Sequence, residues 1–84
     1  MKVELLTREG CHMCATARTE LARICGDFGI GFTEVDVDRA AAGGNPEVRA
    51  EYGDRLPVVL LDGIEHSYWE VDEPRLRADL AGRA

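Results

Sequence analysis

Long apolar runs are missing from this chain. No stretch approaches the roughly 20 consecutive apolar residues of a membrane-spanning helix, so no membrane partner is expected. Met1-Lys2 leads directly into a strand pattern, without the apolar core and cleavage site of a secretory leader. Positive charge is also short. Ten lysines and arginines face 16 acids, giving a formal charge of −6 and a pI near 4.8. That balance argues against nucleic acid and anionic membranes as partners. Cysteine is scarce, and three is an odd number that does not suit a secreted disulfide framework. Together these absences point to the cytoplasm, where a cysteine pair is more often catalytic or metal-binding than structural.

What is present is an ordinary globular composition, 45% apolar and 31% charged, over 84 residues. The length predicts a single domain over residues 1–84, near the lower limit of what a hydrophobic core holds unaided, and a monomer is expected. The stretch that carries chemistry is Gly10-Cys11-His12-Met13-Cys14, between the apolar run Val3 to Leu6 and a helical pattern reaching Phe28. A Cys-x-x-Cys pair at a strand-to-helix junction has a mechanism. With Cys11 capping the helix, its sulfur faces the unpaired N–H groups of Met13 and Cys14, and these donors and the helix dipole favour thiolate. Thiolate is the nucleophilic form. Cys14 lies one turn on, within the Cα separation a disulfide needs.

Taken in order, Lys2 to Leu6 reads as a strand and Thr7 to Gly10 as a loop. Cys14, Ala17, Leu21, Ile24 and Phe28 then recur at helical spacing, with Gly26 and Gly29 at the helix end. Phe32 to Val37 alternates as a strand, with Thr33, Val35 and Val37 on one face. Its connection through a helix makes it parallel to the first strand. Asp38 to Gly44 is read as a loop or frayed turn. Asn45 caps a short helix with Pro46 at its first position, Val48 to Tyr52 continues it, and Gly53 closes it. Val58 to Leu61, after Leu56-Pro57, is an all-apolar strand buried on both faces. Asp62-Gly63 turns the chain back as Ile64 to Tyr68. A last helix opens near Asp72, Glu73 and Pro74, turns Leu76 and Leu80 inward, and ends at Gly82.

This β-α-β-α-β-β-α order, with Cys-x-x-Cys after the first strand and proline opening the third, resembles the α/β thioredoxin fold. The length makes it most similar to the small bacterial glutaredoxin-like proteins. The resemblance implies a four-stranded mixed sheet flanked by helices and a thiol–disulfide oxidoreductase needing no cofactor. It implies Cys11 as the nucleophile and Cys14 as the resolving thiol. Leu56-Pro57 would be cis, presenting the Leu56 backbone to an extended disulfide substrate, either a protein or a small thiol. His12 and Met13 would border that substrate. Three departures stand out. His12-Met13 replaces the Pro-Tyr or Pro-Phe of glutaredoxins. Tyr68-Trp69-Glu70-Val71-Asp72 replaces their glutathione-gripping Gly-Gly-Asp turn, which leaves glutathione open as a partner. Leu5 stands where thioredoxins bury an aspartate.

The rival class is a thioredoxin-fold module that binds a metal, an iron–sulfur cluster or a protein through the pair without turnover. Metal sites usually want four donors, and a second Cys-x-x-Cys is lacking, so no metal ligand is assigned. Cys25, roughly 16 Å up the helix axis from Cys14, is out of reach and reads as a small buried hydrophobe. A copper chaperone would want methionine where Glu9 stands. A cluster shared across a dimer stays open. His12, if protonated, would stabilise the Cys11 thiolate, against the simpler reading of an exposed imidazole. Arg8 and Arg18 read as solvated surface ahead of an attraction for an acidic partner, His66 as a surface strand residue, and Tyr68 and Trp69 as core packing ahead of an aromatic wall beside the site.

Overall fold

The computed structural model describes residues 1–82, so the last two of the expected domain lie outside the described residues. Its elements run β1 Val3–Thr7, α1 His12–Asp27, β2 Thr33–Asp36, α2 Val37–Ala42, α3 Glu47–Tyr52, β3 Val58–Leu61, β4 Ile64–Tyr68 and α4 Glu73–Gly82. The sheet order is β2-β1-β3-β4, with β1 parallel to β2 and antiparallel to β3, and β3 antiparallel to β4. This is the mixed four-stranded, thioredoxin-like architecture that the element order implies.

Side-chain alternation along the two central strands explains the layers. Val3 and Leu5 of β1 and Val59 and Leu61 of β3 point to one face. There they meet Ala17, Leu21, Ile24 and Cys25 of α1 and Leu76 and Leu80 of α4. Leu6, Val58 and Leu60 point to the other face and meet Val37, with Val48, Tyr52 and Leu56 packed around them. Because helices cover both faces, every residue of β3 is buried, and each such side chain contributes on the order of 1.5–3 kcal/mol.

Helix α1 stops for a defined reason. Gly29 takes φ +69°, the Gly29 N–H donates to Gly26 C=O at 3.1 Å, and the Ile30 N–H donates to Cys25 C=O at 3.0 Å. That is a Schellman motif, and its left-handed residue favours glycine. Asp62 (φ 52°) and Gly63 (φ 82°) make the tight turn between β3 and β4, both at the positive φ a type I′ hairpin requires.

The expected loop or frayed turn from Asp38 to Gly44 is corrected to a helix as far as Ala42, with Gly43 and Gly44 left as a turn. Asp36, the last residue of β2, caps it directly, its carboxylate accepting from the N–H groups of Asp38 at 2.9 Å and Arg39 at 3.1 Å. Val37 is therefore the first residue of α2 and not the end of a strand, although it is fully buried. Thr33, expected on the same face as Val35 and Val37, is exposed. Asn45 does not cap α3. Its N–H donates to Ala40 C=O at 2.8 Å and so closes α2, while Pro46 occupies the cap of α3 with no side-chain bond.

Helix α4 is clamped to α1 by charge as well as by its leucines. Arg23 donates to both carboxylate oxygens of Glu73, at 3.0 and 2.8 Å, and Arg77 bonds Glu73 at 2.9 Å and Asp27 at 2.7 Å. Hydrogen bonds from Arg23 first, then Arg77, lower the Glu73 carboxyl from its ordinary 4.5 to about 2. A depressed carboxylate pKa adds stability above the unfolded value and loses it as pH falls through the folded one. Glu73→Gln is therefore expected to lower the melting temperature at about pH 7. The gap to the unsubstituted protein should close as pH drops from about 4.5 to about 2, read by thermal melts across that range.

Candidate functional site

Strand β1 and helix α1 meet at a loop built to present a cysteine. Gly10 takes φ +81°, open to glycine and strained for other residues, and the Cys11 N–H donates to Arg8 C=O at 3.3 Å. Cys11 then caps α1 with extended backbone (φ −88°, ψ 110°). Its Sγ accepts from the Cys14 N–H at 3.2 Å. The bond to Cys14 is the one expected of a cap; Met13 makes no such bond. The two cysteines are at disulfide distance and paired, with Cα atoms 5.2 Å apart.

The pair is asymmetric. Cys11 is half-buried, whereas Cys14 heads the inward stripe of α1 and is 0% exposed. His12 and Met13, between them, both face solvent, Met13 at 46%. Leu6 pairs with Val58, so β1 leaves the sheet at the end where β3 begins. The Cys11 loop and Leu56-Pro57 therefore share one end of the sheet. The Leu56–Pro57 bond is cis, Leu56 is half-buried and Pro57 is buried. Neither backbone group of Leu56 has a hydrogen-bond partner among the described residues.

Two aromatic residues depart from their expected place. Tyr68 and Trp69 are 50% and 53% exposed, packed edge to face on each other and not in the core. Trp69 takes φ 67°, a left-handed conformation that breaks β4, and its N–H donates to Pro57 C=O at 2.8 Å. The chain turns there, so the indole swings outward. It borders a groove of about 420 Å³ whose other walls include Met13, Ala17, Glu20 and Val71. Trp69 thus touches the proline loop through its backbone and the Cys-x-x-Cys helix through the groove. The sequence signal for this was the single tryptophan directly after a strand, in the place of the Gly-Gly-Asp turn.

The nearby arginines are engaged, not free surface charge. Arg8 bonds Asp38 at 2.9 and 3.3 Å, and this bond holds the Asp38 carboxyl below its usual range. Arg18 clasps both oxygens of Glu34, which also accepts from the Thr7 hydroxyl at 3.0 Å. Arg18 first, and Thr7 after it, lower the Glu34 pKa. His66, expected at the surface, is buried, because position 66 of β4 faces α4, where Nε2 lies 2.7 Å from Asp79 Oδ2. Among the described residues, no three His, Cys, Asp or Glu side chains gather where a metal ion would sit. None of the described helices is long and apolar enough to cross a membrane.

The fold and the paired cysteines at a helix start define a thioredoxin-like domain of the glutaredoxin-like type. The chain belongs to the family named Glutaredoxin-like domain (DUF836), whose model matches residues 2–81. It is 61% identical over 80 residues to Uncharacterized protein Rv0508 of Mycobacterium tuberculosis and to Uncharacterized protein Mb0520 of Mycobacterium bovis. Those alignments cover 95% of this chain and 82% of each relative, and both relatives are bacterial. Among solved structures it is similar to target protein XcR50 from X. campestris, with TM-score 0.65 and 30% identity over 95% of this chain and 96% of that one. It is also similar to NrdH-redoxin from Escherichia coli, a glutaredoxin-like protein described as having a thioredoxin-like activity profile. There the TM-score is 0.61 and the identity 27%, over 90% of this chain and 95% of that one.

Cys25 is 1% exposed, and burial pushes its thiol pKa up. Buried, protonated thiols are poor nucleophiles. In the reduced, folded protein at about pH 8, iodoacetamide is expected to label Cys11 and leave Cys25 unmodified, with Cys25 labelled only after unfolding. Peptide mapping by mass spectrometry reads both, and rapid labelling of Cys25 in the folded protein would refute its inert role.

Proposed function

We propose that the protein is a thiol–disulfide oxidoreductase in which Cys11 is the nucleophile and Cys14 the resolving thiol. The observation that carries this reading is the asymmetry of the pair: a reachable sulfur at the cap of α1 and a buried one a turn inside. Family membership and the likeness to NrdH-redoxin support the same class. The partner is a disulfide-containing protein or small disulfide, met in the cytoplasm by a monomer.

In the reduced protein the Cys14 N–H and the start of α1 stabilise negative charge on Cys11 Sγ. The thiolate attacks one sulfur of the substrate disulfide. A new S–S bond forms, the substrate S–S bond breaks, and the released thiolate takes a proton from water. Cys14 then gives up its proton and attacks Cys11 Sγ, which expels the second substrate thiolate and closes the Cys11–Cys14 disulfide. The substrate gains two electrons and the protein loses two. An external dithiol reverses the exchange and restores the reduced pair. The short Cα separation lets the ring open and close with the backbone in place. The unpartnered N–H and C=O of Leu56 offer two strand-like bonds to an extended substrate, and His12 and Met13 border it.

Trapping separates the two cysteines. Cys14→Ser is expected to accumulate mixed disulfides through Cys11 when mixed with a disulfide substrate, and Cys11→Ser is expected to accumulate none. Alkylation of Cys11 in the reduced protein should rise with a midpoint below the about 8.5 of a free thiol. Equal trapping by both variants, read on non-reducing gels, would overturn the assignment of roles.

A further inference from the structure

The groove beside the cysteine pair joins an apolar wall to an unbalanced acidic rim. Met13 and Trp69 supply exposed apolar surface, Val71 closes the floor, and Glu20 and Glu70 stand at the edge. Neither carboxylate is hydrogen-bonded or ion-paired to a side chain among the described residues. The nearby cations are engaged by other groups: Arg75, in the adjoining pocket, donates to His66 C=O, and Arg23 attracts Glu20 only through space. Arg23, one turn beyond Glu20, is held by both oxygens of Glu73, Arg18 by Glu34, Arg8 by Asp38 and Arg55 by Glu65. An anionic small thiol entering here meets two carboxylates in a groove that no arginine lines. A long cationic side chain meets the opposite: an apolar channel for its methylenes, an indole face, and two acids for its charged end.

We propose that this groove is a docking subsite for a lysine or arginine side chain of a protein substrate, carried within two residues of the cysteine whose disulfide is exchanged. The assignment rests on the disulfide-exchange reading of Cys11 and Cys14. It adds the substrate class: polypeptides with basic residues beside their disulfide, in preference to acidic peptides or glutathione disulfide. Met13 and the Trp69 backbone tie the groove to the exchange site, the first through the Cys-x-x-Cys helix and the second through Pro57 C=O at 2.8 Å. A side chain anchored there holds its own backbone alongside Leu56.

The test uses short peptides with one cysteine linked to the same chromophoric thiol. They differ only in lysine, alanine or glutamate at each of the two positions on either side of the cysteine. Release of the chromophore by the reduced protein gives the rate. The best lysine peptide is expected to outrun its glutamate counterpart on the order of tenfold at low salt, from one exposed ion pair and a cation–π contact. That ratio should shrink at about 0.5 M salt and approach one in Glu20→Gln/Glu70→Gln. Trp69 is the only tryptophan in the sequence, so quenching of its fluorescence by the lysine peptide reports binding independently of exchange. Equal rates for lysine and glutamate peptides, a preference that survives the double substitution, or faster reduction of glutathione disulfide than of every lysine peptide would overturn the proposal. Hydroxyethyl disulfide distinguishes the two levels. If it is reduced while lysine gives no advantage, only the docking subsite falls. If neither it nor any peptide is reduced, the exchange reading falls, and the subsite with it.

Discussion

A single hydrogen bond, from the Cys14 N–H to Cys11 Sγ, fixes where the first long helix begins, and the rest of the site follows from that start. A helix opens with N–H groups that its own carbonyls cannot reach, and here a sulfur takes one of them. The inward stripe of α1 counts from the same point: Cys14, Ala17, Leu21, Ile24. Cys14 is buried because it is the first member of that stripe, and Cys11 is reachable because it precedes the helix. Rotating the stripe by one residue would bury Met13 and expose Cys14. The unequal exposure of the two thiols is thus a consequence of core packing.

The sheet supplies the other half of the arrangement. β3 must be apolar throughout because α1 and α4 cover one side of it and α2 and α3 the other. A strand so enclosed has no freedom to shift its register without moving buried side chains between faces. Its first residues are therefore held against the end of β1, beside the Cys11 loop. Trp69 closes the frame from the far side, since its N–H takes the Pro57 carbonyl that no β-ladder partner could reach once β4 has turned away. Three separate segments of chain meet at one end of the sheet, each positioned by backbone hydrogen bonds.

Most of the fold was legible because its signals are periodic or tied to single residue types. The stripe from Cys14 to Ile24 specified a helix, the unbroken Val58 to Leu61 a doubly covered strand, and Asp62-Gly63 a tight hairpin. What escaped was short. Helix α2 has one turn and a half, too little for a period, and its cap Asp36 also reads as the end of an alternating strand. Asn45 looked like a cap because proline followed it, yet α3 starts at Glu47 and Pro46 itself holds the cap position, while the Asn45 N–H closes α2. The cysteine pair was legible from spacing alone. The outward turn of Trp69 was not, since apolar composition favours burial and only the positive φ after β4 sends the indole to solvent. His66 failed for the converse reason: a polar residue in a strand reads as exposed until its partner, Asp79 on α4, is known.

The acidity of the chain takes on a local meaning once its ion pairs are located. With 16 acids and ten basic residues, some carboxylates have to remain unmatched, and where they fall is decided by which arginines the fold employs. Arg23 and Arg77 tie α4 to α1, Arg18 ties α1 to β2, Arg8 ties the loop after β1 to α2, and Arg55 ties the approach to β3 to β4. Each bridges two elements of the scaffold, so these cations are drawn to structural partners. The surplus negative charge is left on residues with no structural duty, among them Glu20 and Glu70 at the groove. Selectivity for basic partners would then be a by-product of how a small domain, with little core to spare, uses arginine to hold its helices in place.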